Sequence, residues 1–420
     1  MYNQDFVSKP IFTGLSPNAQ ADDVVMAMKL LVMPWRWQKG PSAELLKRAL
    51  ALFLSVKNVF LFESGRSCLY SILNALDLKG HDDVLFQAYT CVAVPEPILW
   101  AGAKPVYVDC DEDTLTMSPY DLEKKITANS KVLIIQHTFG QPAHLHRLME
   151  IARKHHLFVI EDCAHSLGSE YDGKLTGSFG DASFFSFGRD KVISSVFGGA
   201  VATNDKVLAG KIGQFHASCR NAPKRWILQQ LMHPVILSLV KLTYSIFLGK
   251  VLLVAAKRLG LISLAVYKQE KCGEKPPFIF CKIPDALAAL ALHQFGKLKK
   301  FNEHRRKIAH LYERGLEGLP LALPGKIKNS QSIFLRYTVR SEKAGMLLKA
   351  AKKEQINLGD WYTTALAPEG VDYRKMHYDA ASCPVAEKMA RETVNLPTDI
   401  HIKESDANRI IQFLIKFYGT

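Results

Sequence analysis

The sequence predicts an α/β protein, with a large domain built on a mainly parallel sheet and a small C-terminal α/β domain behind it. Two observations carry this. Short runs rich in β-branched and aromatic residues alternate with helical patterns of ten residues or more, which is how a parallel sheet covered on both faces reads. The chain has 420 residues, too many for one small core and enough for a large domain plus a smaller one. Hydrophobic residues make up 48% and charged residues 22%, an ordinary globular balance that excludes a disordered chain. No repeat of fixed period is visible, which excludes a solenoid.

The formal charge is +14, with a pI near 9.3. Such an excess favours anionic partners: nucleic acid, anionic lipid or a phosphorylated substrate. A generally basic surface is an equal reading. The eight cysteines are scattered and none form a CxxC pair, so no zinc or iron–sulfur site is expected. They read as small buried hydrophobes of a reducing cytosol. The opening MYNQDFVSKP has no apolar core and does not read as a secretory signal.

Residues 1–58 read as an N-terminal arm with helices. Ser16-Pro17-Asn18 is a turn signal before the apolar-rich run Asp22 to Met33. Trp35-Arg36-Trp37 follows and reads as an arm packed across a dimer interface sooner than a substrate or membrane contact. A helix begins at Pro41 to Glu44, with Leu45, Leu46, Ala49, Leu52 and Phe53 on one stripe. Val59 to Phe62 is a strand running into Glu63-Ser64-Gly65-Arg66-Ser67, then a helix with Leu69, Ile72, Leu73 and Leu76 on one face. The free N–H groups and dipole at that helix start make an anion site. Val84 to Phe86 is the next strand, and a helix leads from it to the run Gly102 to Asp109. Val132 to His137 is a strand whose last residue either faces a site or is structural. Leu145 to His156 is a helix.

The stretch Phe158 to Thr203 holds the chemistry. Three buried-strand patterns occur in it: Phe158 to Ile160, Ala182 to Phe187 and Gly199 to Ala202. Asp162 follows the first and Lys191 follows the second. In open α/β sheets ligands bind outside the carboxyl ends of the strands, so an acid and an amine meet where a cofactor would lie. That pair suits pyridoxal phosphate: a lysine bonds the aldehyde as a Schiff base, and an acid keeps the pyridine nitrogen protonated so that the ring is an electron sink.

Here the chain resembles a family. Glu161-Asp162-Cys163-Ala164-His165, Gly177 to Asp181, Ser186-Phe187, Lys191 and Gly198-Gly199 resemble, in order and spacing, the motifs of the DegT/DnrJ/EryC1/StrS sugar aminotransferases. Gly102 to Asp109, Cys383 to Glu387 and Leu396-Pro397-Thr398 resemble further family elements. The resemblance implies the type I pyridoxal-phosphate-dependent transferase fold, which is aspartate aminotransferase-like. It implies Lys191 as the catalytic residue, and Gly65, Arg66, Ser67, Asp162, His165 and Ser186 as cofactor-binding residues, with no metal. Gly65, Ser67 and Ser186 would hold the phosphate, and His165 would lie against the ring. The implied reaction is transamination of a nucleotide-linked keto-sugar, with glutamate as donor, in surface polysaccharide or amino-sugar biosynthesis. Dehydrating relatives carry His at the lysine position, so Lys191 favours amino transfer. The alternatives are a dehydratase-like enzyme or a membrane-associated non-catalytic homologue. A cytoplasmic homodimer without a nucleic-acid partner is implied as well.

This chain departs from the family pattern at several places. Arg66 stands where Thr is usual. Cys91 stands where an aromatic stacks on the ring, so either Tyr89 takes that role or something smaller covers the ring. Phe280 replaces the Asn that reaches the partner's cofactor phosphate, and Lys282 replaces an Arg. Residues 226–266 are apolar, with Pro234, Lys241, Lys250 and Lys257-Arg258 as interruptions. Lysine at mid-span is costly in lipid, so two or three amphipathic helices are expected. A buried or dimer-facing insertion is the first reading, and peripheral contact at the inner face of a membrane the second. The expected organisation is 1–58 arm and helices, 59–220 cofactor-binding domain, 221–277 apolar helical insertion, and 278–420 connecting helix and small domain. In the last of these, Ala286 to Lys299 and Ala344 to Glu354 read as helices, Ile333 to Val339 as a strand, and Trp361 and Tyr362 as core aromatics first and pocket candidates second.

Overall fold

The computed structural model describes residues 9–14, 18–244 and 248–419. The opening residues 1–8, Ser16-Pro17 of the expected turn and residues 245–247 of the apolar stretch lie outside the described residues. The central sheet has nine strands: β1 (Asn58–Phe62), β2 (Asp83–Gln87), β3 (Lys104–Val108), β4 (Ser130–Gln136), β5 (Phe158–Asp162), β6 (Ala182–Ser186), β7 (Gly199–Thr203), β8 (Arg220–Asn221) and β9 (Cys281–Lys282). Their order across the sheet is β8-β9-β1-β7-β6-β5-β4-β2-β3. The five strands from β6 to β3 run parallel, and β7 is antiparallel to both its neighbours.

Alternation along the strands explains the layering. In β4, Val132 and Ile134 enter one core and Leu133 and Ile135 the other; in β6, Phe184 and Phe185 divide in the same way. Successive side chains of a strand point to opposite faces, so each apolar run needs helices on both sides. One face is covered by α3 (Gly65–Ala75), α4 (Pro95–Trp100) and α7 (Lys206–Ser218). The other is covered by α2 (Ser42–Leu54), α5 (Pro119–Lys125), α6 (Leu145–Lys154) and α10 (Asp285–Phe295). Gly199 lets β7 approach α3. A Cβ there would lie 2.8 Å from Cys68 Sγ and 2.7 Å from the Phe185 carbonyl oxygen, closer than side chains allow.

The remaining helices are α1 (Ala21–Leu31), α8 (Lys224–Thr243), α9 (Leu248–Arg258), α11 (Leu298–Gly315), α12 (Ala344–Lys353), α13 (Pro384–Glu392) and α14 (Glu404–Tyr418). The apolar stretch therefore forms two helices, α8 and α9, packed beside each other, with α1 alongside α8. Among the described residues no helix is long and apolar enough to cross a membrane. In the C-terminal region Tyr337–Arg340 pairs antiparallel with Thr393–Leu396. This pair packs with α11, α12 and α14 around Tyr312, Leu347, Val394 and Ile410. Leu366–Ala367 pairs with Thr90–Cys91, which carries the preceding Trp361 and Tyr362 to the carboxyl ends of the central strands. The expected strand from Ile333 is shorter than its apolar run: only Tyr337–Arg340 is extended, because Phe334 has φ +49° and turns the chain first.

Candidate active site

At the carboxyl ends of β5 and β6 lies a cavity of about 560 Å³, within the usual range for small-molecule sites. Gly65, Asp162, His165, Ser186 and Lys191 all line it, as do Cys91, His137, Trp361 and Tyr362. The groups singled out in the sequence thus converge, although the chain separates Gly65 from Lys191 by more than a hundred residues.

Each is placed by local structure. Asp162 ends β5, and its Oδ1 accepts the Ala164 N–H at 3.0 Å. Burial raises its carboxyl above the ordinary value, with the Ala164 N–H and Lys191 opposing. Its neighbour Glu161 points the other way and organises the next loop: it accepts N–H groups of Gly177, Phe179 and Gly180 at 2.6–2.8 Å and faces His137 Nε2 at 3.1 Å. The adjacent acids therefore have separate tasks, one in the cavity and one in the scaffold. Burial alone would raise Glu161, but His137 and these N–H groups hold it below the usual carboxylate value.

Lys191 Nζ lies 2.7 Å from His165 Nε2. His165 Nδ1 accepts the Phe139 N–H at 3.4 Å, and burial pushes the imidazole well below its ordinary pKa. A neutral ring that accepts at Nδ1 carries its proton on Nε2. Nε2–H then donates to the lysine nitrogen, which requires a neutral amine. Burial lowers the Lys191 pKa in the same direction, with Cys91 and Asp162 opposing. Phe139, Trp361 and Tyr362 flank the His165 ring with near-parallel planes.

At the other end of the cavity, Ser64 caps α3 and accepts the Ser67 N–H. The N–H groups of Gly65 and Arg66, which an α-helix leaves without intrahelical partners, remain for an anion. A Cβ on Gly65 would stand 3.2 Å from Ser186 Cβ, so glycine keeps the gap between helix start and serine open. Amine, buried carboxylate, helix start and hydroxyl are the groups that pyridoxal phosphate needs, and the cavity holds all four.

Two expectations change, those for Ser67 and Arg66, and of the two alternatives at Cys91 the structure favours the smaller residue. Ser67 is not on the cavity wall: its hydroxyl donates to Glu63 at 2.5 Å and accepts the Phe280 N–H at 3.1 Å. Arg66 lines the cavity, but its guanidinium is ion-paired with the buried Glu270. Tyr89 is fully buried behind the wall; its hydroxyl donates to the Trp361 carbonyl at 3.0 Å, so Cys91 and not Tyr89 faces the cavity. Phe280 stacks on Tyr70, with ring centroids 4.3 Å apart.

The sequence reading missed the groups behind Lys191. Arg305 is 1% exposed and donates to the Val192 carbonyl at 2.8 Å, to Asn18 at 2.7 Å and to Asn302 at 2.7 Å. Asn18 in turn donates to the Lys191 carbonyl at 2.6 Å. Burial brings the Arg305 pKa down to about 9. Arg305 falls in phase with Leu298, Phe301, Ile308 and Tyr312, all buried on α11. A charge on an apolar stripe was the available signal. Arg189, Asp190 and the segment Leu264 to Val266 also line the cavity.

The comparisons with known proteins agree with this geometry. A pleiotropic regulatory protein of Geobacillus stearothermophilus is 27% identical over 387 residues, 91% of each chain. UDP-N-acetyl-3-dehydro-alpha-D-glucosamine 3-aminotransferase of Acidithiobacillus ferrooxidans is 29% identical over 360 residues, 83% of this chain and 80% of that one. Among solved structures, DesV of S. venezuelae superposes with a TM-score of 0.76 at 23% identity, covering 98% of this chain and all of the other; at that identity the likeness shows the fold, which is the type I transferase fold expected. The sequence profile of the DegT/DnrJ/EryC1/StrS aminotransferase family matches residues 18–238 and 257–415. With most of the chain matched and the amine, acid and anion site gathered in one cavity, the protein belongs to the DegT/DnrJ/EryC1/StrS aminotransferase family and is a pyridoxal-phosphate-dependent enzyme.

Proposed function

We propose that the protein transfers an amino group from an amino acid, glutamate in the first instance, to a nucleotide-linked keto-sugar in surface polysaccharide or amino-sugar biosynthesis. The relative from Acidithiobacillus, whose name describes amino transfer at a dehydro position of a UDP-sugar, supports the acceptor class. The observation that carries the reaction is the buried amine of Lys191, 2.7 Å from His165 Nε2 in the cavity that Asp162 also lines.

When bound, pyridoxal phosphate supplies the electron sink that labilises a bond at the amine-bearing carbon. The chain supplies the rest. Lys191 is the catalytic residue: as a neutral amine it accepts a proton from one carbon and returns it to another. The Asp162 carboxylate is the counter-charge for a protonated ring nitrogen, and it keeps that role only while ionised. The Gly65 and Arg66 N–H groups and the Ser186 hydroxyl take the phosphate. Ser67 serves through the cap and not through its hydroxyl. His165 orients the amine and excludes water from it. The Arg66 side chain stays with Glu270. In this reading the enzyme is a cytoplasmic homodimer.

The test begins with the absorbance spectrum. Purified protein is expected to show a visible band of lysine-bound cofactor that glutamate bleaches, and Lys191→Ala is expected to lack the band. A panel of nucleotide-linked keto-sugars with glutamate then yields an amino-sugar by mass spectrometry. A colourless protein that takes up no pyridoxal phosphate overturns the enzyme reading; a dehydrated product overturns transamination. Light scattering reads the dimer as twice the 47.0 kDa chain mass.

A further inference from the structure

Helix α8 is apolar on two sides. Its inner side is consumed by the protein: Trp226, Ile227, Leu231, Ile236 and Leu237 are buried. Yet Leu228, Met232, Val235, Leu239 and Leu242, at successive steps of four and three, form a second stripe. Three of these are exposed, up to 76% at Leu242. A helix that is apolar all round belongs in a core or against lipid. The neighbours continue the pattern. On α1, Val25, Met28 and Val32 form one exposed stripe, and Trp35 follows at 70% exposure. On α9, Val251 and Val254 are exposed. Lys250, Lys257 and Arg258, on the same helix, are exposed too. Since α1 lies beside α8 and α8 beside α9, these residues belong to adjoining helices. Soluble monomers rarely expose contiguous apolar patches beyond a few hundred Å² without a use for them.

Charge selects the occupant. From Lys206 to Gln269 the sequence contains ten Lys and Arg and not one Asp or Glu. A second copy meeting this face across a two-fold axis would set cations against cations, because such an interface is the same patch twice. An anionic bilayer meets both halves of the pattern: acyl chains take the leucines and headgroups take the lysines, whose stems reach past an apolar surface. We propose that the outward face of α1, α8 and α9 docks on the surface of an anionic lipid bilayer without crossing it. Leu264, exposed and lining the cavity, lies six residues beyond the end of α9 at Arg258, so docking would bring the cavity mouth toward the lipid surface. The proposal is independent of the amino-transfer reading, since either can fail alone.

The experiment is co-sedimentation of the full-length protein with vesicles of phosphatidylcholine, with and without phosphatidylglycerol. Binding is expected only with phosphatidylglycerol present. It is expected to weaken as salt rises, because the screening length falls from about 10 Å at 0.1 M to about 3 Å at 1 M. Lys250→Gln with Lys257→Gln is expected to lower affinity about fivefold for each charge removed. Leu239→Glu with Leu242→Glu is expected to abolish binding while the visible cofactor band and the thermal midpoint stay as in the parent. If the glutamate variant does not fold, the lysine variant and the salt series decide the matter. Equal binding to both vesicles, or none to either, overturns the proposal. So does a dimer that Leu242→Glu splits into monomers, which would give the face to a second copy.

Discussion

Lys191 acts at one end of its side chain and is held at the other. Its carbonyl accepts from Asn18 and the next carbonyl from Arg305, so an arm residue and a helix residue fix the backbone from which the amine projects. Among the described residues Arg305 meets only amide and carbonyl oxygens at hydrogen-bond distance, with the Asp399 charge further off. It is thus a positioning residue, and Asn18 is its partner. Asn18→Ala is expected to lower kcat on the order of ten- to a hundredfold, as small misplacements of a reacting group do. It is also expected to move the pH at which the visible band titrates, a readout that mere loss of stability would not shift. Unchanged kcat and titration would remove Asn18 from this role. Asp162 and Lys191 were legible because an acid and an amine follow the ends of two buried strands, and His165 through its place in the family motif that the chain resembles. Arg305 was not, because a basic helix reads as solvated unless its phase against Leu298 and Ile308 is checked.

Between strand and helix, the informative element is the segment after α9. It is tied to the large domain by Arg66–Glu270, and by Arg189 donating to Ser263, which donates in turn to Gln230. It is tied to the C-terminal region by Lys271, which donates to the Glu369 carbonyl at 2.5 Å. Leu264 to Val266, within it, form part of the cavity wall. The Arg66–Glu270 pair is almost wholly buried. Removing one partner of a buried pair costs about 3–5 kcal/mol, whereas replacing both by apolar groups is often near neutral. Glu270→Gln is therefore expected to lower the thermal midpoint and raise KM for the sugar acceptor, as the wall loosens. Arg66→Met with Glu270→Leu is expected to recover most of the stability. An unchanged midpoint in Glu270→Gln would mean that the pair holds nothing. This element shows where sequence reading stopped. Ser64-Gly65-Arg66-Ser67 announced an anion-binding helix start, and the backbone and cap are so arranged. What Arg66 and Ser67 do with their side chains depended on Glu270 and Glu63, and only the fold brings Glu270 to the turn.

At the scale of the whole molecule the same burial that builds the cavity sets how the protein answers acid. His165 and His233 are pushed well below the ordinary imidazole value of 6.5 by burial, and His216, His304 and His401 are shifted the same way. The folded state therefore binds fewer protons than the unfolded chain below that value, so stability rises with pH there and is lost on acidification. Of the five, His165 and His233 are displaced furthest, so they contribute most to that loss. Glu96 works against them. It is buried, with burial raising its carboxyl well above 4.5, so the folded state keeps a proton that the unfolded chain has released and gains stability as pH falls. Glu63 and Asp162 are raised by burial in the same sense; five histidines against three such carboxyls predict a thermal midpoint that falls between about pH 7 and about pH 5.5. Glu96→Gln is expected to steepen that fall, and His165→Gln to flatten it. A midpoint that holds constant or rises over this range in the parent would show that the buried imidazoles do not set the acid limit. Glu161 marks a second, lower window. Its carboxyl is held below 4.5 by His137 and the loop N–H groups, so its contribution is intact above 4.5 and is lost only as pH falls further. Acid should thus first weaken the fold through the histidines, which the unfolded chain protonates and the folded chain does not, and only below 4.5 release the loop that Glu161 holds, so that the thermal midpoint followed against pH falls in two stages.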